Sequence, residues 1–298
     1  MTAPRITLIT PCLNAGATIA RTLESVRAQA YPNLEYLILD GASKDDTLAI
    51  VERYGDIVTR VISGKDKNIA DALNKGFAQA TGEIFCFINA DDALAPGALA
   101  FAGAYFDAHP EVDVLTGGCR RVFADGTETI TTPPADFLSL MAMRNGIEQP
   151  STFWRASAHR RAGAFDDSYF LALDWEWWNR LNASGARFAA VDQVFSTYYF
   201  TDDNLTSRGG RRVIDEMERV TRTYAKNGPA LARAYRFIFN MYDMNGFYDA
   251  PFRALPPLKQ AALAAGLAPL YLLHGREAIN AYNWNWASKQ IRGRVWHR

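Results

Sequence analysis

The stretch Glu83-Ile84-Phe85-Cys86-Phe87-Ile88-Asn89-Ala90-Asp91-Asp92 constrains the fold most. Residues 84 to 88 form an unbroken apolar run, the pattern of a strand buried on both faces. Such strands belong inside a parallel sheet covered by helices. The run ends in a polar cluster with two adjacent carboxylates, and Pro96 follows where a helix would begin. In open α/β sheets, ligands bind outside the carboxyl ends of the strands. Adjacent carboxylates repel, so an opposite charge belongs nearby. A hard divalent cation, Mg²⁺ or Mn²⁺, shared with a diphosphate would supply it. An acidic cap on the following helix is the plainer alternative.

The flanking pattern agrees with a sheet of this kind. Strands are expected over 6–10, 34–39 and 57–62, alternating with helices that begin near Ile19, Asp46 and Asn68. Ser43 with Asp46 reads as a capping pair, and Gly55 as a carboxyl cap. Strand–helix alternation over the first ninety residues implies a mostly parallel, right-handed α/β sheet. A helix over 96–108 follows. Strand candidates at 112–115 and 119–123 and a turn at Asp125-Gly126 then change the pattern to antiparallel. A short helix over 136–143, an extended 149–155, a helix over 174–184 closed by Gly185 and a strand over 187–199 complete this half. From Arg211 the chain reads as helical, over 211–225, 231–242 and 258–273.

Composition narrows the class. The formal net charge is zero over 298 residues, which speaks against a general nucleic-acid binder. Cys12, Cys86 and Cys119 are widely spaced and offer neither a disulfide framework nor a zinc pattern. The first strand begins close to the amino terminus, so no signal peptide is expected. No apolar run reaches the length of a membrane span.

Several polar residues would gather at the carboxyl edge of the sheet. Asp40 ends a strand and could accept hydrogen bonds from a nucleobase or ribose, or simply start a helix. The turn Gly41-Ala42-Ser43 would let a ligand approach the backbone. Asp66 is a third acidic position. Asp71, Asn74 and Lys75 lie on the next helix, where Lys75 could meet a phosphate or remain solvated. Further on, Asp174-Trp175-Glu176-Trp177-Trp178 sets an acid at a helix start, fit for an N-cap or a general base. Its tryptophans suit either sugar faces or a core.

Taken in order, these segments resemble the family 2 glycosyltransferases of GT-A fold. The match runs through Ile9-Thr10-Pro11-Cys12-Leu13-Asn14, Asp40 to Thr47, Asp66 to Gly76, Phe87 to Asp92, Gln149-Pro150-Ser151-Thr152-Phe153 and the helix of Asp174, covering roughly residues 5–200. The third of these, with Ala80-Thr81-Gly82-Glu83, is similar to bacterial enzymes of surface-polysaccharide assembly. The resemblance implies transfer of a sugar, with inversion, from a nucleotide diphosphate sugar to a glycan or lipid-linked acceptor. It implies nucleotide-sugar contacts at Thr10, Pro11, Asn14, Asp40, Ser43, Asp66, Asn74, Lys75, Asn89 and Asp91. It implies a Mn²⁺ or Mg²⁺ ion at Asp91 and Asp92, Asp174 as the base, and acceptor contacts at Gln149, Trp175, Glu176 and Trp178. The family's Asp-x-Asp motif starts here with Asn89, and Leu173 precedes the base where the family has Glu. The Gln-x-x-Arg-Trp motif of processive synthases is absent, which implies one sugar per encounter. A sugar nucleotidyltransferase would show a Gly-rich, basic amino-terminal loop, which Pro11 to Gly16 lacks. An inactive sugar-binding scaffold would not be expected to keep Asp40, Asp91 and Asp174 together.

The expected organisation is a catalytic domain over 1–210, with a nucleotide-sugar half to about 95 and an acceptor half beyond it, and a helical region over 211–298. From Arg253 onward seven Lys or Arg face one acid, Glu277, beside Trp284, Trp286 and Trp296. That mixture suits docking on an anionic membrane surface, which would place the protein in the cytoplasm at the inner face of the membrane. Packing on the catalytic domain or on a second subunit in a homo-oligomer is the alternative.

Overall fold

The computed structural model describes residues 3–200, 210–233, 236 and 257–274. They form two compact units. The first holds residues up to Pro134, Ile147–Leu173 and Arg180–Phe200. The second holds Ala135–Gly146, Asp174–Asn179 and the described residues after 200.

The first unit is built on one mixed sheet of nine strands. In chain order they are β1 (Ile6–Cys12), β2 (Leu34–Asp40), β3 (Arg60–Ser63), β4 (Ile84–Phe87), β5 (Ala93–Leu94), β6 (Val114–Val122), β7 (Glu128–Thr131), β8 (Thr152–Arg155) and β9 (Phe188–Tyr199). The sheet order is β3-β2-β1-β4-β8-β6-β9-β5, with β7 paired to β6. β3, β2, β1 and β4 are mutually parallel. The helices α1 (Ile19–Arg27), α2 (Thr47–Glu52) and α3 (Ile69–Phe77) connect them, and α4 (Ala98–Ala108) follows β5. β1 and β4 are buried along their whole lengths; β4 is wholly apolar, and the two threonines of β1 bond to Glu35 and Tyr36. Ile19, Leu23 and Val26 press one face of α1 onto this layer. Gly82 admits a close crossing before β4, since a Cβ there would stand 2.6 Å from the Thr7 nitrogen.

The change to antiparallel pairing occurs where the sequence pattern indicates it, at β4–β8, β8–β6 and β6–β7. β6 and β9 then pair in parallel, which local patterning does not reveal. The two strand candidates at 112–115 and 119–123 are one strand. Gly117 reads as a break in sequence, but it serves a bulge. A Cβ there would lie 2.5 Å from the Gln193 carbonyl oxygen, so β9 can approach only a glycine. The expected cap of α2 is also corrected. Asp46 makes no side-chain cap bond; the Asp45 carboxylate instead accepts from the Thr47 amide and hydroxyl. Gly55 is not in the left-handed region. Residues 149–151 form a 3-10 turn before β8, and a further helix, α6 (Ala156–Ala162), follows it.

The second unit contains α5 (Phe137–Leu140), residues 174–179 of α7 (Leu173–Ala183), and the helices Gly210–Tyr224 and Pro257–His274. Residues 228–233 are helical too. The rest of the helix expected over 231–242 and the tail past 274, with its tryptophans and arginines, lie outside the described residues. No helix among the described residues is long and apolar enough to cross a membrane.

Candidate active site

The carboxyl ends of β1, β2, β3 and β4 lie side by side and carry most of the sequence candidates. Two loops there are sewn together. The Asn14 amide donates to Ser43 Oγ at 2.9 Å, and the Lys44 amide donates to Asn14 Oδ1 at 2.8 Å. The Ala15 amide donates to Thr47 Oγ1 and the Gly16 amide to Asp45 Oδ2, both at 2.8 Å. Asn14 and Ala42 take positive φ values of 51° and 66°. An L-residue pays roughly 1 kcal/mol to sit there, so the loop shape is imposed by these bonds.

Asp40 is buried beneath the loops. Its carboxylate accepts the Ser43 amide at 3.1 Å and Ser63 Oγ at 2.5 Å. Burial alone would raise its pKa, but the hydrogen bonds from Ser43, Ser63 and the Ala42 amide outweigh it and hold the group below the usual carboxylate range. Ser63 is the register partner of Asp40 across β2 and β3. Thr10 and Pro11 lie buried within β1, and the Thr10 hydroxyl meets the Tyr36 hydroxyl at 2.9 Å. The surface of that loop is formed by Leu13 and Asn14 instead.

Asp66, Asn74 and Lys75 are close to this edge, each with a partner. Lys75 Nζ contacts Asp66 at 2.6 Å and Asp71 at 2.9 Å. The two carboxylates raise the lysine's pKa and leave the trio with a net negative charge. Asn74 holds the Phe165 backbone from both sides, donating to its carbonyl at 2.9 Å and accepting from its amide at 2.8 Å.

The Asn89–Asp92 segment follows β4. Two residues of α1, neither marked by any sequence motif, hold its main chain. Arg21 donates to the Asp91 carbonyl at 2.6 Å and stacks on the Tyr199 ring, 3.5 Å from its centroid. Thr22 Oγ1 donates to the Asp92 carbonyl at 2.6 Å. The two carboxylates differ. Asp91 is half-buried, whereas Asp92 is 0% exposed. Neither Asp92 oxygen has a hydrogen-bond partner of good geometry. Burial and the neighbouring Asp91 push its pKa well up; the Tyr199 amide, Arg21 and the Asn89 side chain only partly offset this. The expectation that both carboxylates face a metal therefore divides: Asp91 is only half-buried, and Asp92 is wholly buried. No group of three candidate ligands occurs among the described residues. The single carboxylate of Asp91 still fits Mg²⁺ or Mn²⁺, which take few protein ligands when substrate phosphates supply the rest.

Gln149, expected at an acceptor, lies under the Asn89 side chain in this first unit. Asn89 Nδ2 donates to Gln149 Oε1 at 3.3 Å, and Gln149 Nε2 donates to the Phe87 carbonyl at 2.6 Å.

Asp174 belongs to the second unit. Of residues 172–179 it alone is not buried. Its Oδ2 accepts from Asn145 Nδ2 at 3.3 Å, and it stands in the first turn of α7, where the helix dipole favours a carboxylate. The surrounding side chains are core. Trp175 donates to the Met141 carbonyl at 2.5 Å, Asn179 donates to the same oxygen at 3.2 Å, and Glu176 accepts from the Tyr224 hydroxyl at 2.6 Å. Trp175 and Trp178 are buried as well, so neither offers a ring face to a sugar, and Glu176 is turned to Tyr224.

The family model for Glycosyl transferase family 2 matches residues 7–163, a little over half of the chain. Among known proteins, the PGL/p-HBAD biosynthesis glycosyltransferase of Mycobacterium tuberculosis is 29% identical over 180 residues, covering 59% of this chain and 69% of that one. Two solved structures share the fold. S. aureus TarS 1-349 in complex with UDP-GlcNAc superposes with a TM-score of 0.60 at 18% identity, over 97% of this chain and 89% of that one. The mannosyltransferase PcManGT of Pyrobaculum calidifontis, in complex with GDP-Man and Mn²⁺, gives 0.63 at 21% identity, over 97% and 85%.

Proposed function

The chain belongs to glycosyl transferase family 2 and is a glycosyltransferase of GT-A fold, and from that premise we propose its reaction. It takes a sugar from a nucleotide diphosphate sugar and, with inversion, places one unit per encounter on a hydroxyl of a glycan or lipid-linked acceptor. The observation that carries this reading is the carboxyl edge of the parallel strands, where an ionised Asp40 ends β2 and Asn89 and the half-buried Asp91 follow β4, the two strands flanking β1. Nucleotide sugars in the TarS and PcManGT structures support the donor class, and Mn²⁺ in the latter supports a divalent cation. The mycobacterial relative, a PGL/p-HBAD biosynthesis glycosyltransferase, supports a biosynthetic role.

In this reading the loops after β1 and β2 hold the nucleoside, with Asp40 and Ser43 fixing the polar edge. Asp91 would hold the cation, which would supply positive charge to neutralise the departing diphosphate. Asp174 takes the proton of the acceptor hydroxyl as that oxygen attacks the anomeric carbon. The hydroxyl becomes strongly acidic only as its new bond forms, so a carboxylate is base enough late in the step. We place Asp174 in this role because its exposure persists among buried neighbours.

The helix Pro257–His274 leaves Leu258 and Leu272 each 83% exposed, which supports peripheral contact with a membrane. Flotation of the whole chain with anionic but not neutral vesicles is the expected result; no flotation with either would remove this part.

The reaction is tested by supplying UDP-glucose, UDP-GlcNAc, UDP-galactose and GDP-mannose separately with Mn²⁺ and a lipid-linked acceptor extract. One donor is expected to yield a product whose anomeric configuration, read by NMR, is opposite to that of the donor. A product with retained configuration would contradict inversion.

A further inference from the structure

The hydrogen bonds beneath Asn89 decide which atom of its amide faces outward. The Phe87 carbonyl is an acceptor only, so the end of Gln149 that meets it at 2.6 Å is its NH₂ group. Gln149 Oε1 is then the end that meets Asn89 at 3.3 Å. An oxygen there requires the Asn89 NH₂ group opposite. The assignment follows from the chain of partners and does not depend on which amide atom was labelled nitrogen. Gln149 is itself held firmly. It is 8% exposed, and its 3-10 turn is closed by Ser151 donating to the Glu148 carbonyl at 3.0 Å and by Thr152 Oγ1 donating to the same oxygen at 2.8 Å. Ser151 Oγ also donates to the Gly118 carbonyl at 2.7 Å.

We infer that Gln149 is a positioning residue which, anchored on the Phe87 carbonyl, locks the Asn89 side chain so that its Oδ1 is offered as an acceptor to a hydroxyl of the nucleotide sugar. This rests on the reading that Asn89 lies at the donor site. It also accounts for the asparagine in a motif that resembles Asp-x-Asp. With Gln149 Oε1 fixed toward position 89, a carboxylate there would set two unprotonated oxygens at about hydrogen-bond distance. It would also stand within reach of the buried Asp92 carboxylate. Asparagine supplies the inward donor and keeps the outward acceptor. Gln149 thereby acts through Asn89, not on an acceptor substrate.

The test is a double-mutant cycle read by calorimetry, with UDP and GDP as probes in the presence of Mn²⁺. Gln149→Leu and Asn89→Ala are each expected to weaken binding about tenfold, and the double variant by no more than Asn89→Ala alone. A double variant about 100-fold weaker, the additive result, would overturn the inference, as would wild-type affinity in Gln149→Leu. Asn89→Asp, although it restores the acid of the resembled motif, is expected to bind more weakly than wild type; equal or tighter binding would overturn the inference. Side-chain amide NMR of the wild-type protein is independent of nucleotide and of the folding of any variant. The NH₂ protons of residues 89 and 149 are expected to exchange slowly, and free exchange of both would overturn the inference. Failure of the wild-type protein to bind any nucleoside diphosphate while these protons stay protected would count against the donor reading and leave the lock standing.

Discussion

Changing Asp174 to asparagine is expected to lower turnover by about two to four orders of magnitude while leaving nucleotide affinity within about twofold of wild type. The substitution conserves shape, and the amide oxygen of the new side chain could still accept from Asn145 Nδ2, whose bond to Asp174 is 3.3 Å. The buried packing of Trp175, Glu176 and Trp178 is untouched. What is lost is a group that can take a proton. The effect therefore belongs in kcat, with donor binding as the internal control. Wild-type transfer by Asp174→Asn would remove the base assignment. A parallel loss of nucleotide binding would mean that the residue holds the donor or the fold.

The second large effect concerns Asp91. Replacing it with alanine is expected to abolish the gain in nucleoside diphosphate affinity that Mn²⁺ confers, a change on the order of 100-fold. The main chain at this point has its own supports, since Arg21 and Thr22 bind the carbonyls of residues 91 and 92 rather than their carboxylates. Loss of the Asp91 side chain therefore removes a ligand without releasing the loop. Asp92→Asn is the informative contrast. Its carboxylate has no open surface, so this variant is expected to keep a metal-dependent gain. If Asp91→Ala binds as wild type does, with and without Mn²⁺, the cation lies elsewhere.

The parallel half of the fold was legible in the sequence because its signals are local. An apolar run such as Ile84 to Ile88 admits few placements, and the helices of Ile19 and Asn68 carry a clear apolar stripe. Long-range pairing left no such trace. The junction of β6 with β9 depends on a bulge at Gly117, which in sequence looks like an interruption. At the candidate site, acids at strand ends were found because their position in the chain announces them. Arg21, Thr22 and Ser63 were not, because each acts on a segment dozens of residues away. The tryptophans around Asp174 show the opposite failure. Their density suits sugar binding, yet hydrophobic burial claims such rings first, and only their burial and the Trp175 bond to the Met141 carbonyl in the fold reveal which reading holds.

The most direct measurement is calorimetry of the wild-type protein with UDP, GDP, dTDP and CMP, each with and without Mn²⁺. The account predicts that one nucleoside diphosphate binds well above the others and that Mn²⁺ tightens it. No binding of any nucleotide under either condition would contradict a donor site at the edge formed by Asp40, Asn89 and Asp91.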